Sequence, residues 1–305
     1  MRVAVFGATG TIGQALLPRL AREHDVTGVS RRPRSDTAEG VRWVVADVGN
    51  PTAVREALDG IDVAYYLVHS LGTADYAARD RRGAAIMARA ADSAGVGQIV
   101  YLGGLGVDAP DLSEHLRSRR EAEQVLASGK TPVTVIRAAV VVGRGSAAFE
   151  TTVALVDRLP GMICPRWVST PTQPIAIADI VSYLAGVCGV QQTFGHIYEA
   201  GGPEVMTYRG MIEQIAAIRG RHPLIVEVPL LTPRLSSHWL ALITPLNAGT
   251  ARPLIDGLRN PTVVTDTHLQ DLFQLTLTPF DRAARAALAD RPPSGGGGIR
   301  THDPD

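Results

Sequence analysis

His115 and Arg119 stand four residues apart in the stretch DLSEHLRSRREAEQVL, residues 111–126. On a helix that spacing puts both side chains on one face, a turn apart. An imidazole titrates near neutrality and can give a proton; a guanidinium stays charged, binding ribose or phosphate oxygens without shuttling protons. The pair therefore reads as a candidate general acid beside a fixed cation. At about 100° per residue both fall on the arc of Leu112, Leu116, Ala122 and Leu126, with Glu123 at its edge. Arg117, Arg120, Glu121 and Gln124 fall on the opposite side. Asp111 followed by Glu114 has the spacing of a capping box, which starts the helix here. The competing reading is a histidine bonded to a backbone carbonyl in an ordinary helix, but a polar pair on a buried face needs a partner or a ligand.

A second constellation opens the chain. VAVFGATGTIGQALL places Gly7, Gly10 and Gly13 between a β-branched run and a helical pattern. The first glycine allows a tight turn, the second lets backbone N–H groups approach a pyrophosphate, and the third lets the helix pack against the sheet. Thr9, Thr11 and Ile12 complete this cofactor turn. Dinucleotide binding is the favoured reading over a purely structural turn, because the context is right on both sides. At the end of the second strand, where an NAD site has a carboxylate for the ribose 2′-hydroxyl, the chain has VSRRPR. Ser30, Arg31 and Arg32 there favour NADP(H), since guanidinium groups pair bidentately with a 2′-phosphate; NAD(H) is the weaker alternative, and Arg34 reads as a solvated turn residue.

These sites need a scaffold, and the rhythm of the chain supplies one. Short apolar runs at 2–6, 25–30, 41–46, 62–68, 98–104 and 133–143 alternate with helical patterns at 11–22, 51–58, 74–94 and 112–128, which predicts a doubly wound α/β Rossmann fold with a parallel sheet. Residues 1–143 form the expected dinucleotide-binding core. Residues 144–290 are expected to form a smaller C-terminal substrate lobe interleaved with a last strand at 196–202, and 291–305 a disordered tail. His69 and Ser70, after the fourth strand in LVHSLG, fall at the carboxyl end of the sheet, on the nicotinamide side of such a crevice, where either supplies a polar contact or simply belongs to the loop.

Composition excludes other classes. The formal charge is zero and hydrophobic residues make up 45% of 305, so neither nucleic acid nor an acidic membrane is an expected partner. No apolar run approaches a membrane span. Cys164 and Cys188 lie far apart without a second ligand pair, so buried free thiols are expected and no metal. With no leader pattern before MRVAVFGATG, a cytoplasmic location is expected. Of 30 basic residues only Lys130 is a lysine, so any lysine chemistry would depend on it.

GATGTIG, AADSAGVGQIVYLGGLG, LSEHLRSRREAEQVL, TVIRAAVVVGRGS, PTQPIAIADI and YEAGGPEVMTYRGMI together resemble atypical short-chain dehydrogenase/reductases of the NmrA-like and complex I accessory-subunit-like type. The resemblance covers about residues 1–220. It implies a bound nicotinamide nucleotide, an adenine contact from Asp47 with Val48 beside it, and a substrate side near Arg166 and Trp167; on the residues alone, Asp47 could instead cap the next helix, and Asp179 reads as a helix cap. The superfamily's usual serine falls at Gly103 or Gly104, with Gly103 lining the cofactor. Its Tyr-x-x-x-Lys pair becomes His115 and Arg119, and Lys130 lies beyond the helix. The expected function is an NADP(H)-dependent oxidoreductase acting on a quinone or conjugated carbonyl. The alternatives are a non-catalytic nucleotide sensor or assembly protein, and, less favoured, a sugar-nucleotide epimerase. The small-molecule substrate is not legible, and a homo-oligomer or protein partner is only a family-level expectation.

Overall fold

Strand β1 (Arg2–Phe6) turns Val3 and Val5 toward one face of the sheet and Ala4 and Phe6 toward the other, and all four are fully buried. A strand buried on both faces belongs to a sheet covered by helices on both sides. In the computed structural model, which describes residues 1–34, 39–70, 73, 75–107, 112–159, 161–228 and 257–289, that is the arrangement. Helix α1 (Thr11–Leu20) leads to β2 (Asp25–Ser30) and β3 (Val41–Val45), then α2 (Pro51–Ala57), β4 (Val63–Tyr66), α3 (Tyr76–Ala94), β5 (Gln98–Gly104), α4 (Glu114–Ala127) and β6 (Val133–Ala138). These strands are parallel, and the sheet order is β3-β2-β1-β4-β5-β6 followed by β11 (Ile197–Ala200). The order reverses direction beside β1, which leaves a crevice at the carboxyl ends of β1 and β4.

The expected strand 133–143 is split. β6 ends at Ala138, and β7 (Val141–Val142) pairs outside the main sheet with β10 (Ile175–Ala176). The chain leaves the sheet here because Val140 accepts from Ile175 N–H while Ala139 still donates to Ala200. Beyond it lie α5 (Ala147–Arg158), β8 (Gly161–Pro165), β9 (Pro171–Thr172) and α6 (Ile177–Gly186). After β11 come β12 (Met206–Thr207), α7 (Tyr208–Ile218), β13 (Leu224–Val228), α8 (His268–Phe273) and α9 (Phe280–Leu288). β8 pairs with β13, and β9 with β12.

Three apolar cores follow. One joins α1 and α6 to a sheet face through Leu16, Leu17, Tyr65, Ile180 and Leu184; another joins α2, α3 and α4 to the opposite face through Val54, Leu58, Tyr66, Met87 and Leu126. The third, built on Phe149, Val153, Trp167, Met211, Ile215 and Phe280, forms the smaller lobe. Within it Arg219, which caps the C-terminus of α7, clamps Asp157 of α5 bidentately at 3.0 and 2.7 Å, with both side chains buried. Both cysteines are free and buried, and no cluster of metal-ligating residues occurs among the described residues. No helix among them is long and apolar enough to cross a membrane. Residues 291–305 and Asp111 lie outside the described residues.

Candidate functional site

The glycine turn is built as its spacing requires. Gly7 sits at φ +85°, and a Cβ there would meet the Leu67 backbone at 2.9 Å. Gly10 donates its N–H to Gly7 O at 3.0 Å. Gly13 has the tightest approach of the three, because a Cβ would run into Gly7 O and lie 2.7 Å from Ala8 Cα. Helix α1 thus starts against the turn, with no side-chain cap and no acid in its first turn, leaving its positive end available to an anion. Thr9 and Thr11 are engaged otherwise: Gln14 donates to Thr9 O at 2.7 Å, and the Thr11 hydroxyl donates to Gly145 O at 2.8 Å, tying the turn to the smaller lobe.

At the end of β2, buried Ser30 donates to Arg32 O at 2.6 Å and shapes a turn from which Arg31 and Arg32 emerge exposed. Arg34 is not simply solvated. Its guanidinium lies 5.3 Å over the Trp43 ring, a contact between a planar cation and a neighbouring strand that its position in a turn does not reveal. Asp47 does not cap α2 either. It accepts from Gly49 N–H at 2.6 Å, while Asn50 caps the helix by accepting from Thr52 and Ala53 N–H. Val48 is half-buried near Gly83.

A cavity of about 490 Å³ runs from this turn into the smaller lobe. Gly7, Gly10, Thr11, Ile12, Gly13, His69, Gly103, His115 and Arg119 all line it, together with Leu116, Trp167, Tyr208 and Met211. Thr9, Ser30, Arg31, Arg32, Asp47, Val48 and Ser70 do not line it. Of the two expected substrate-side residues, Trp167 does and exposed Arg166 does not. The Trp167 and Tyr208 rings meet edge to face at 6.1 Å, and the indole N–H is buried without a hydrogen-bond partner.

Helix α4 starts at Ser113, whose hydroxyl accepts from Leu116 N–H at 3.3 Å. That leaves His115 and Arg119 on the cavity wall, as their phase predicts, and Glu123 buried and paired with Arg137 at 2.7 Å. Arg120 contradicts the phase. It is buried, and its long side chain reaches back to Gly104 O and Gly106 O at 2.9 Å each, fixing the loop after β5. A Cβ on Gly104 would lie 2.8 Å from the Leu116 Cδ2 methyl, whereas one on Gly103 would meet only ordinary contacts at 3.5 Å and beyond. The Leu116 methyl thus packs beside one of the two positions where a serine would stand. Lys130 is exposed past the end of α4, with its backbone N–H on Asp92.

Asp80 was missed by sequence reasoning, although Tyr76, Asp80, Gly83, Ala84 and Met87 form a helical stripe that places it inward. It is buried on α3 and accepts from Ser70 N–H at 2.7 Å, anchoring the His69 loop. Burial raises its carboxyl pKa, while Arg119 and the Ser70 bonds pull it back. Tyr101 donates to Arg119 O at 3.2 Å. The expectation that His115 titrates near neutrality fails: burial, then the Arg119 charge, lower it to about 3. His69 is likewise lowered to about 3, by Arg119 first, then burial and His115. His69 is exposed, so the Arg119 charge rather than burial is the main cause. At neutral pH the cluster holds one cation and two neutral imidazoles. Asp179 does not act as a cap; it accepts from Thr278 N–H and Oγ1 at 2.7 and 2.9 Å, anchoring the segment before α9.

Residues 7–158 match the family model described as NAD(P)H-binding. Over 222 residues the chain is 28% identical to (4-alkanoyl-5-oxo-2,5-dihydrofuran-3-yl)methyl phosphate reductase of Streptomyces griseus, covering 72% of this chain and 74% of that protein. Among solved structures, triphenylmethane reductase from Citrobacter sp. with NADP(H) superposes with a TM-score of 0.76 at 18% identity, over 94% of this chain and 100% of the other. An NADPH-dependent quinone oxidoreductase from Escherichia coli, solved with NADPH, gives 0.74 at 19% identity over 94% and 99%. These likenesses bear on the fold, a seven-stranded parallel Rossmann sheet with a smaller lobe. With its glycine turn, the segment at residues 7–158 belongs to the NAD(P)H-binding family, and the chain as a whole is similar to reductases and to a complex I accessory subunit of the atypical short-chain dehydrogenase/reductase type.

Proposed function

We propose that the protein is an NADP(H)-dependent oxidoreductase that reduces a quinone or conjugated carbonyl. The observation that carries this reading is the single cavity joining the glycine turn, the His69–His115–Arg119 cluster and the apolar wall at Trp167 and Tyr208. In this reading residues 1–143 hold the nucleotide and 144–290 the substrate. The N-terminus of α1, opened by Gly7, Gly10 and Gly13, takes the pyrophosphate, with Thr9, Thr11 and Ile12 around it. Arg31 and Arg32 take the 2′-phosphate, with Ser30 holding their turn, and Asp47 and Val48 face the adenine. His69, Ser70 and Gly103 border the nicotinamide. When bound, that ring supplies the reducing equivalents.

His115 and Arg119 are the proposed catalytic residues. Arg119 stabilises charge that develops on the acceptor oxygen, and neutral His115 offers an N–H beside it. Trp167 and Tyr208 present flat apolar surface to a planar acceptor. The name of the Streptomyces griseus relative describes a conjugated acyl dihydrofuranone as its substrate, which supports an acceptor of this class. That the E. coli neighbour is an NADPH-dependent quinone oxidoreductase supports a quinone and NADPH.

The test is binding of NADPH and NADH to purified protein, followed by NADPH oxidation with quinones, enones and aldehydes. Turnover with quinones or enones is expected. Tight NADPH binding with no oxidation of any acceptor would refute catalysis and favour a second reading, a nucleotide-responsive sensor or assembly protein. The specific observation for that alternative is that glycine, histidine and arginine stand where the superfamily has serine, tyrosine and lysine.

A further inference from the structure

Resting on the reductase reading above, we propose that His69, His115 and Arg119 form an oxyanion-binding subsite that stabilises an enolate or phenolate product without protonating it, and so selects acceptors by the acidity of that product. The three side chains line one wall of the cavity from two elements. His69 lies on the loop after β4, which Asp80 holds through Ser70 N–H at 2.7 Å. His115 and Arg119 lie one turn apart on α4. Gly103 and Gly104, where a serine hydroxyl would stand, offer no side chain, and the Leu116 methyl packs beside Gly104. The titratable groups that influence the cluster are Asp80 from α3, Tyr66 from β4 and Tyr101 from β5. Burial raises both phenol pKa values, and the Tyr101 hydroxyl proton is already donated to Arg119 O. Among the described residues Arg119 makes no ion pair within 4.0 Å, and its charge acts on His69, His115 and Asp80 around the cavity.

The chemical consequence concerns where the proton comes from. The acceptor carbon gains two electrons and a hydrogen from reduced nicotinamide, its π pair moves onto oxygen, and the oxyanion later takes a proton from water. A simple ketone would form a strongly basic alkoxide, which needs a proton donor as the C–H bond forms. A quinone, enone or acyl lactone forms a delocalised anion, which a guanidinium and two neutral N–H donors can hold. With both imidazoles near a pKa of about 3, neither is a proton reservoir at neutral pH.

The experiment uses p-nitrophenol as a chromophoric oxyanion, titrated between about pH 5 and 9 with the full-length protein and NADP⁺, its ionisation read by absorbance. Wild type is expected to bind the phenolate at least about ten-fold more tightly than the phenol, which lowers the bound probe's pKa by about one unit or more. Arg119→Met should abolish the preference, and His115→Phe and His69→Phe should each reduce it. A wild-type circular dichroism spectrum and cooperative melting verify that each variant is folded. Equal affinity for phenol and phenolate in wild type, or an unchanged preference in Arg119→Met, overturns the subsite. Phenolate preference without NADPH oxidation of any acceptor would sustain the subsite and remove the reductase reading; turnover without the preference would do the reverse.

Discussion

Replacing Gly13 with alanine should destabilise the protein, against the sign that helix propensity alone gives. Gly13 lies inside α1, where alanine is favoured over glycine by about 1 kcal/mol. Its Cβ, however, would run into Gly7 O and stand 2.7 Å from Ala8 Cα and 2.9 Å from Ala8 C, all backbone atoms of the turn. No rotamer change relieves such contacts, so α1 must move away from the turn by roughly an ångström. Overpacking of this kind costs about 1–3 kcal/mol and sometimes more, and rigid backbone on the other side puts this case at or above the upper end. The expected net loss is about 2 kcal/mol or more, accompanied by weaker NADPH binding. Gly10→Ala is the control, because its Cβ would meet only Gly7 O, at 3.3 Å. At that helix N-cap the loss should stay below about 1 kcal/mol, while a methyl group where the pyrophosphate approaches weakens NADPH. Urea unfolding followed by circular dichroism and NADPH fluorescence titration give both quantities. A Gly13→Ala protein as stable as wild type would refute the close approach of helix and turn. Wild-type NADPH affinity in Gly10→Ala would refute the pyrophosphate placement.

Three further outcomes are expected. Arg31→Asp should weaken NADPH much more than NADH in a direct binding titration, because the new carboxylate repels a 2′-phosphate; an unchanged preference removes Arg31 from the site. Asp157→Asn leaves the buried Arg219 guanidinium short of its anion and should lower unfolding free energy by about 3–5 kcal/mol, with NADPH affinity retained in the protein that remains folded; a loss under about 1 kcal/mol in urea unfolding would contradict this. His115 is neutral when folded, with its pKa lowered to about 3 from an ordinary 6.5. Between those values the unfolded chain binds the extra proton, so its contribution to stability is fully present above about pH 6.5 and is lost as the pH falls toward 3. His115→Phe should therefore flatten the decline of melting temperature with acid, and an identical decline would place the His115 pKa near normal.

The residues of the glycine turn and the strand rhythm were enough to specify a parallel Rossmann sheet and a nucleotide turn, because those depend on local backbone demands and on period-2 and period-3.6 burial. The inward phase of His115 and Arg119 was legible for the same reason. What helical phase could not decide was reach: Arg120 starts on the outward arc, yet its side chain is long enough to bond two carbonyls at the end of β5. Nor could type and spacing give the protonation state of His115, since a pKa near 3 arises from burial and from a guanidinium held against it. The break of the sixth strand at Ala138, the Arg34–Trp43 stack, the attachment of Asp179 to Thr278 and the joining of Thr11 to Gly145 all link segments distant in sequence or on separate elements. Sequence determined the elements and much of the chemistry they carry, while the tertiary structure decided which charges meet, because electrostatics and packing depend on distances that only the folded chain sets.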